Sequence, residues 1–347
     1  MLFEFNKEES QALKGVAILF MLGLHLFNTL DYGTLYKPLI YIGEYPLIYY
    51  VSFIFDSCVP IYCFCSGYAL YLKNKISFID NLKKIMKILN KYWIILILTI
   101  IVGVLFRNKE IPGSFLAFLG NMFLINISYV GAWWFVQTYV LLLILTPLII
   151  ELINRDEKLT FILSLIIYFI AFYFRIMNPM RTGIFLLDII INASVLLGTS
   201  IFPFVMGMLF YKNLIISKIR RCIKRKNVTA ILIILVCIFF HILIKNMFIA
   251  PFISFLFIIA FSLFKFNALI LNVLLFFGKH STNIWLVHMQ IYMIFLPSIV
   301  FCTHTVLGCL FNLLLLSVLT SNVVNFIENH IVYRILKNFY KYSIFFK

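Results

Sequence analysis

From Leu13 to Phe326 the chain repeats one pattern: a continuous apolar run, then a short polar or basic break. Many of these runs approach the roughly 20 residues that a bilayer-spanning helix needs. They lack the strict in–out alternation of barrel strands, and an open sheet would leave its edge groups unsatisfied in lipid. The pattern therefore predicts helices near 12–30, 47–72, 92–106, 115–150, 159–174, 194–211, 228–244, 247–264, 282–301 and 305–326. The fourth divides into an outer segment and a span from about Trp133. Two apolar stretches, 184–193 and 266–277, are short and read as re-entrant or interfacial pieces. Both charge signs precede the first run, and no small-residue cleavage site follows within it, so it is expected to stay in the mature protein. The expected fold is all-α, a polytopic bundle of about ten transmembrane helices. A single membrane domain over 1–347 is expected, with no soluble domain.

Composition supports lipid as the solvent. Apolar residues make up 63% of the chain and charged ones 12%, against about half and a quarter in a soluble domain. The net charge of +16 raises the question of nucleic acid, and the distribution of that charge answers it. With a cytoplasmic N-terminus, the inner loops hold 23 of the 29 Lys and Arg. The other six are Lys37, Arg107, Lys109, Arg175, Arg181 and Lys245. Such a bias places both termini in the cytoplasm, with an even number of spans, and explains the basicity without a nucleic-acid partner. The run Lys218–Lys226 reads as a topology anchor, or as a contact for anionic lipid or a nucleotide. The seven cysteines fall mostly in apolar runs, without zinc spacing, and read as small apolar residues.

Ionisable residues inside a bilayer are costly and mark functional candidates. Lys14 and His25 are eleven positions apart in the first helix. That is three turns plus about 20°, so they share a face, separated by roughly 16 Å along the axis. A cation at the cytoplasmic mouth suits a phosphate-bearing ligand, and an imidazole deeper in suits proton transfer at a hydroxyl. A snorkelling lysine and a histidine bonded to a neighbouring helix suit the same positions. In the second helix Pro60 should kink the backbone, and Ser66-Gly67 permits close approach of a ligand or another helix. Asp56 has about the depth of His25, where it would orient the imidazole or stabilise its charged form; otherwise it meets water at the interface. Trp133 and Trp134 suit an interfacial anchor or a sugar-stacking pair. Gly278–His288 reads as a polar turn leading into a helix, with His280 solvated in the turn and His288 inside the membrane. His241, His304 and His330 lie at span ends and receive no role.

At these residues the chain resembles the acyltransferase 3 family of membrane acyltransferases. The family's basic residue, ten positions and a histidine correspond to Lys14 and His25. Its proline-containing segment ending Ser-Gly-Tyr corresponds to Val59-Pro60 through Ser66, Gly67 and Tyr68. Its Trp-Trp-Phe segment corresponds to 133–135, and its Gly-Lys-x-Ser…Trp-Leu-x-His segment to Gly278, Lys279, Ser281, Trp285, Leu286 and His288. Lys83–Trp93 is similar to the basic stretch and Tyr-Trp of many Gram-positive members. The chain departs from the family at Lys14, where Arg is usual; lysine keeps the charge and loses the bidentate fork.

The resemblance implies an O-acyltransferase of the bacterial cytoplasmic membrane, moving an acyl group from cytoplasmic acyl-CoA to a hydroxyl. Acetyl-CoA is the expected donor, and a surface polysaccharide or lipid-linked sugar the expected acceptor. His25 would be the general base or a transient acyl carrier, with Asp56 beside it. Lys14 with Ser66, Gly67 and Tyr68 would line the acyl-CoA path. Trp133, Trp134 and His288 would contact the acceptor. No metal is implied, and the fused hydrolase-like domain of some members is not expected. The rival reading is a transporter or flippase for a lipid-linked sugar, which also needs many spans and intramembrane polar groups; no inverted repeat speaks for it.

Overall fold

The computed structural model describes residues 4–73 and 78–332. The helices run in the order α1 (Lys7–Phe27), α2 (Leu47–Ser52), α3 (Cys58–Tyr71), α4 (Phe78–Leu105), α5 (Phe115–Met122), α6 (Trp134–Arg155) and α7 (Glu157–Phe172). They continue with α8 (Phe185–Lys212), α9 (Ile215–Cys222), α10 (Lys226–Leu243), α11 (Ala250–Leu263), α12 (Ala268–Met289), α13 (Pro297–Val300) and α14 (Val306–Ile327). A two-residue antiparallel pair, β1 (Tyr41–Ile42) and β2 (Tyr45–Pro46), lies between α1 and α2. Among the described residues eight helices are long and apolar enough to cross a membrane. The apolar helix Met247–Leu263 is shorter, and α12 overlaps the helix expected over 282–301 only at 282–289, the rest of that stretch forming a π-helical turn over Gln290–Phe295 and the short α13.

Several boundaries differ from the sequence reading. The basic segment 73–91 is helical from Phe78 onward; Ile85 is buried in it while Lys83 and Lys87 are exposed, so the charges lie on an amphipathic helix and not in a coil. The stretch 184–193 belongs to α8, and 266–277 leads into α12; neither is re-entrant. Residues 278–281 are also helical, so Gly278 is not a turn glycine. It is a contact glycine: a Cβ there would lie 2.0 Å from the Gln11 carbonyl oxygen, and one on Gly15 would lie 2.0 Å from that of Leu274. His280 accordingly sits in a helix at 6% exposure, not in a solvated turn.

The chain divides into two units. The first comprises the chain up to Asn81 together with Trp134–Ser281. Its interior is aromatic, with Phe64, Phe202, Phe255 and Phe261 packed among Ile61 and Ile258. There α3 and α8 cross at bare backbone. A Cβ on Gly67 would be 2.0 Å from the Phe204 carbonyl oxygen, and one on Gly207 would be 2.1 Å from that of Phe64. Small residues at such a crossing let two helices meet closely in lipid. Gly67→Ala should therefore push α3 from α8 and cost about 1–3 kcal/mol, as overpacking does. A thermal unfolding midpoint equal to wild type in detergent would refute the tight crossing.

The second unit comprises Leu82–Trp133 and the chain from Thr282 onward. Tyr92 donates to the Asn121 carbonyl at 2.7 Å, and Trp93 Nε1 to that of Met122 at 3.0 Å, which fastens α5 to α4. Asn283 donates to Ser321 Oγ at 3.0 Å and Asn325 Oδ1 at 2.9 Å, joining α12 to α14. Each bond satisfies a polar group that lipid could not.

Candidate functional site

The first helix starts on a reciprocal capping box between Asn6 and Glu9, which satisfies two orphan N–H groups. It ends at Asn28, whose Nδ2 donates to Ser52 Oγ at 2.9 Å. One turn before that end stands His25, half-buried. Two residues earlier, Gly23 makes room on α1 for the Phe55 ring, which a Cβ would approach to 2.6 Å.

Asp56 is presented by an irregular backbone with a local cause. Pro60 has no N–H to give the carbonyl four residues back, which is that of Asp56, and its ring crowds that carbonyl. The chain tightens there into a 3-10 segment over Phe53–Ser57 before α3 begins. Asp56 is buried at 7% exposure. Its Oδ1 lies 2.8 Å from His241 Nε2, in the last turn of α10. His241 is 1% exposed and stacks on Phe53 with ring centroids 6.3 Å apart. Its Nδ1 is buried with no hydrogen-bond partner among the described residues. An N–H there would be orphaned, so the ring proton belongs on Nε2, where Asp56 accepts it.

His25 and Asp56 line one cavity of about 260 Å³, together with Leu24, Asn28, Phe53 and Lys245. Lys245 Nζ lies 5.3 Å from the Tyr50 ring centroid and 5.7 Å from that of Tyr45. The arrangement holds an imidazole, a carboxylate and a cation at one opening, with the carboxylate fixed from behind by a second imidazole. Such a set can accept a proton and stabilise the charge that results. His241 received no role from the sequence, and the available signal was slight: a histidine near the end of an apolar run, at the predicted depth of a lone aspartate.

At the other end of α1 stands Lys14, half-buried and with no carboxylate at ion-pair distance among the described residues. Of the segment after Pro60, Ser66 is half-buried, and Gly67 is occupied by the α8 crossing. The Tyr68 hydroxyl donates to the Glu4 carboxylate and accepts from the Phe5 N–H at 3.1 Å. The adjacent tryptophans part company. Trp134 is half-buried in the first unit, with the Arg175 guanidinium 5.2 Å from its ring centroid. Trp133 is fully buried in the second unit, edge-on to Tyr92 and donating to the Leu286 carbonyl at 2.8 Å. His288 is also fully buried there, its Nδ1 2.7 Å from the Trp285 carbonyl oxygen. The structure thus brings His25 and Asp56 to one cavity and adds His241 and Lys245.

The acyltransferase domain of the acyltransferase 3 family matches residues 8–324. No curated protein and no solved structure matches the chain. The match spans the spanning helices of both units and every residue of the cavity. The chain belongs to the acyltransferase 3 family and is a multi-pass membrane acyltransferase.

Proposed function

We propose that the protein is an O-acyltransferase of the bacterial cytoplasmic membrane, taking an acyl group, acetyl first among them, from cytoplasmic acyl-CoA. The acceptor is a hydroxyl of a cell-surface glycan or lipid-linked sugar. The observation that carries this reading is the cavity shared by His25 and Asp56, on the helix whose other end bears Lys14 without a carboxylate partner among the described residues. The acceptor oxygen attacks the thioester carbonyl while its proton passes to His25. The CoA sulfur leaves with the bonding electron pair and is protonated in turn. Asp56, accepting from His241, faces the imidazolium as its counter-charge. Lys14 holds phosphate of the acyl-CoA with Ser66 and Tyr68 beside its path, and the pantetheine arm covers the roughly 16 Å from Lys14 to His25. Trp133 and His288 are sealed inside the second unit, so acceptor contact is assigned to Trp134.

Acetyl-CoA labelled in the acetyl group, offered to purified protein in nanodiscs, tests the donor. Release of CoA thiol with transfer of label to a glycan acceptor is expected; binding without thioester cleavage would reject acyl-CoA. Orientation has its own test in two exposed native cysteines, Cys222 and Cys302. The charge bias puts Cys222 inside and the loop of Cys302 outside. An impermeant maleimide should label Cys302 on intact cells, and Cys222 only after permeabilisation. The reverse order would invert the topology and move the donor site to the wrong face.

A further inference from the structure

Among the described residues Arg175 is a cation with no carboxylate at ion-pair distance, in the last turn of a membrane span. It belongs to the span Glu157–Met177, in the π-helical turn Tyr173–Met177 that follows α7. Three other basic side chains held within the protein have carboxylate partners: Arg220 with Glu9 at 2.6 Å, Lys212 with Glu157 at 3.0 Å, and Lys91 with Glu328 at 3.4 Å. Arg175 has none among the described residues. It is half-buried, and it is held against the Trp134 ring and Thr199 Oγ1, to which Nη1 donates at a long 3.4 Å. A snorkelling arginine would extend into the interface. This one is folded onto an indole, which fixes the guanidinium and leaves most of its five donors to a further group.

Its position relates to the His25 cavity within the same unit. Tyr168 lies seven residues earlier in the same span, about two turns away and on the same face. The Tyr168 hydroxyl donates to the Phe248 carbonyl at 2.7 Å, and the neighbouring Met247 lines the cavity with His25. The cavity's own cation, Lys245, also has no carboxylate at ion-pair distance among the described residues. Asp56, at the same opening, accepts from His241.

We propose that Arg175, fixed by Trp134 and Thr199, is the anchor of an anion subsite that takes a phosphate or carboxylate group carried by the acceptor. A planar guanidinium engages such groups through paired N–H donors. The inference rests on the acyltransfer reading for the word acceptor, and narrows that acceptor to an anionic glycan or polyol. Its test is a binding measurement that needs no turnover, so a failure of the donor assay leaves it unaffected.

Wild-type protein in a phosphate-free maltoside detergent is titrated with glycerol 3-phosphate, with glycerol, and with phosphatidylglycerol in mixed micelles. Tryptophan fluorescence and the unfolding midpoint are followed together. Glycerol 3-phosphate should bind saturably and raise the midpoint, and glycerol should do neither. Arg175→Gln should weaken binding at least ten-fold. Arg175→Lys keeps the charge without the fork and should fall between. Thr199→Val leaves the cation in place and serves if Arg175→Gln does not fold; it should weaken binding measurably. Binding of phosphatidylglycerol alone would make the site a lipid-headgroup contact and overturn the acceptor role. Equal binding by wild type and the Arg175 variants, or no phosphate binding at all, would overturn the subsite itself.

Discussion

His25→Ala is expected to lose about 10²–10⁴-fold in kcat, the usual worth of general acid–base catalysis, while acyl-CoA still binds. A group that takes a proton in the transition state contributes to turnover and little to ground-state affinity. His25→Gln keeps a hydrogen-bonding side chain and cannot titrate in this range, so it should be nearly as inactive. Lys14 is the internal contrast, on the same helix face and at the opposite end. Lys14→Ala should raise KM for acyl-CoA more than it lowers kcat, because it removes a contact to donor phosphate. Lys14→Arg should be tolerated, since charge survives and the fork is added. Activity per folded molecule, with acyl-CoA binding followed separately, reads out both effects. Full turnover in His25→Ala would remove the centre of the mechanism, and an unchanged KM in Lys14→Ala would remove the donor site from the mouth of α1.

The second large effect falls on stability. His241→Leu leaves the Asp56 carboxylate buried without its donor, at a site where the two side chains are only 1% and 7% exposed. Breaking a buried pair from one side typically costs about 3–5 kcal/mol. His241→Leu should therefore lower the unfolding midpoint sharply. Asp56→Asn with His241→Leu should recover much of the loss, because no buried charge remains. It should not recover turnover, because the counter-charge facing His25 is gone. Stability and activity thus separate in the double variant. If His241→Leu melts with the wild type, the pair contributes nothing to the fold and Asp56 has another source of neutralisation.

Part of the candidate cavity was legible in the sequence. Lys14 and His25 shared a face by helical arithmetic alone, and Asp56 was expected at the depth of His25; both His25 and Asp56 line the cavity. His241 was not legible as the partner of Asp56, since the two lie 185 residues apart and spacing rules reach only about one or two turns of a single helix. The tryptophans show the same limit. Trp133 and Trp134 read as one motif, yet the first is buried against Tyr92 and the Leu286 carbonyl and the second meets the Arg175 guanidinium.

What the sequence determined by itself was everything set by solvent and local period. Sustained apolar runs admit only helices in lipid, and the concentration of Lys and Arg in alternate loops fixes the expected sides. Tertiary structure decided the rest through contacts between distant segments. Gly278 looked like a turn, and proved to be the point where α12 meets the Gln11 carbonyl. Gly67 looked open to a ligand, and proved to be filled by the backbone of α8. A glycine written in a sequence promises only that something will come close. Whether that is a turn, a ligand or another helix depends on which backbone packs there, and Asp56 finding His241 is the same dependence expressed in charge.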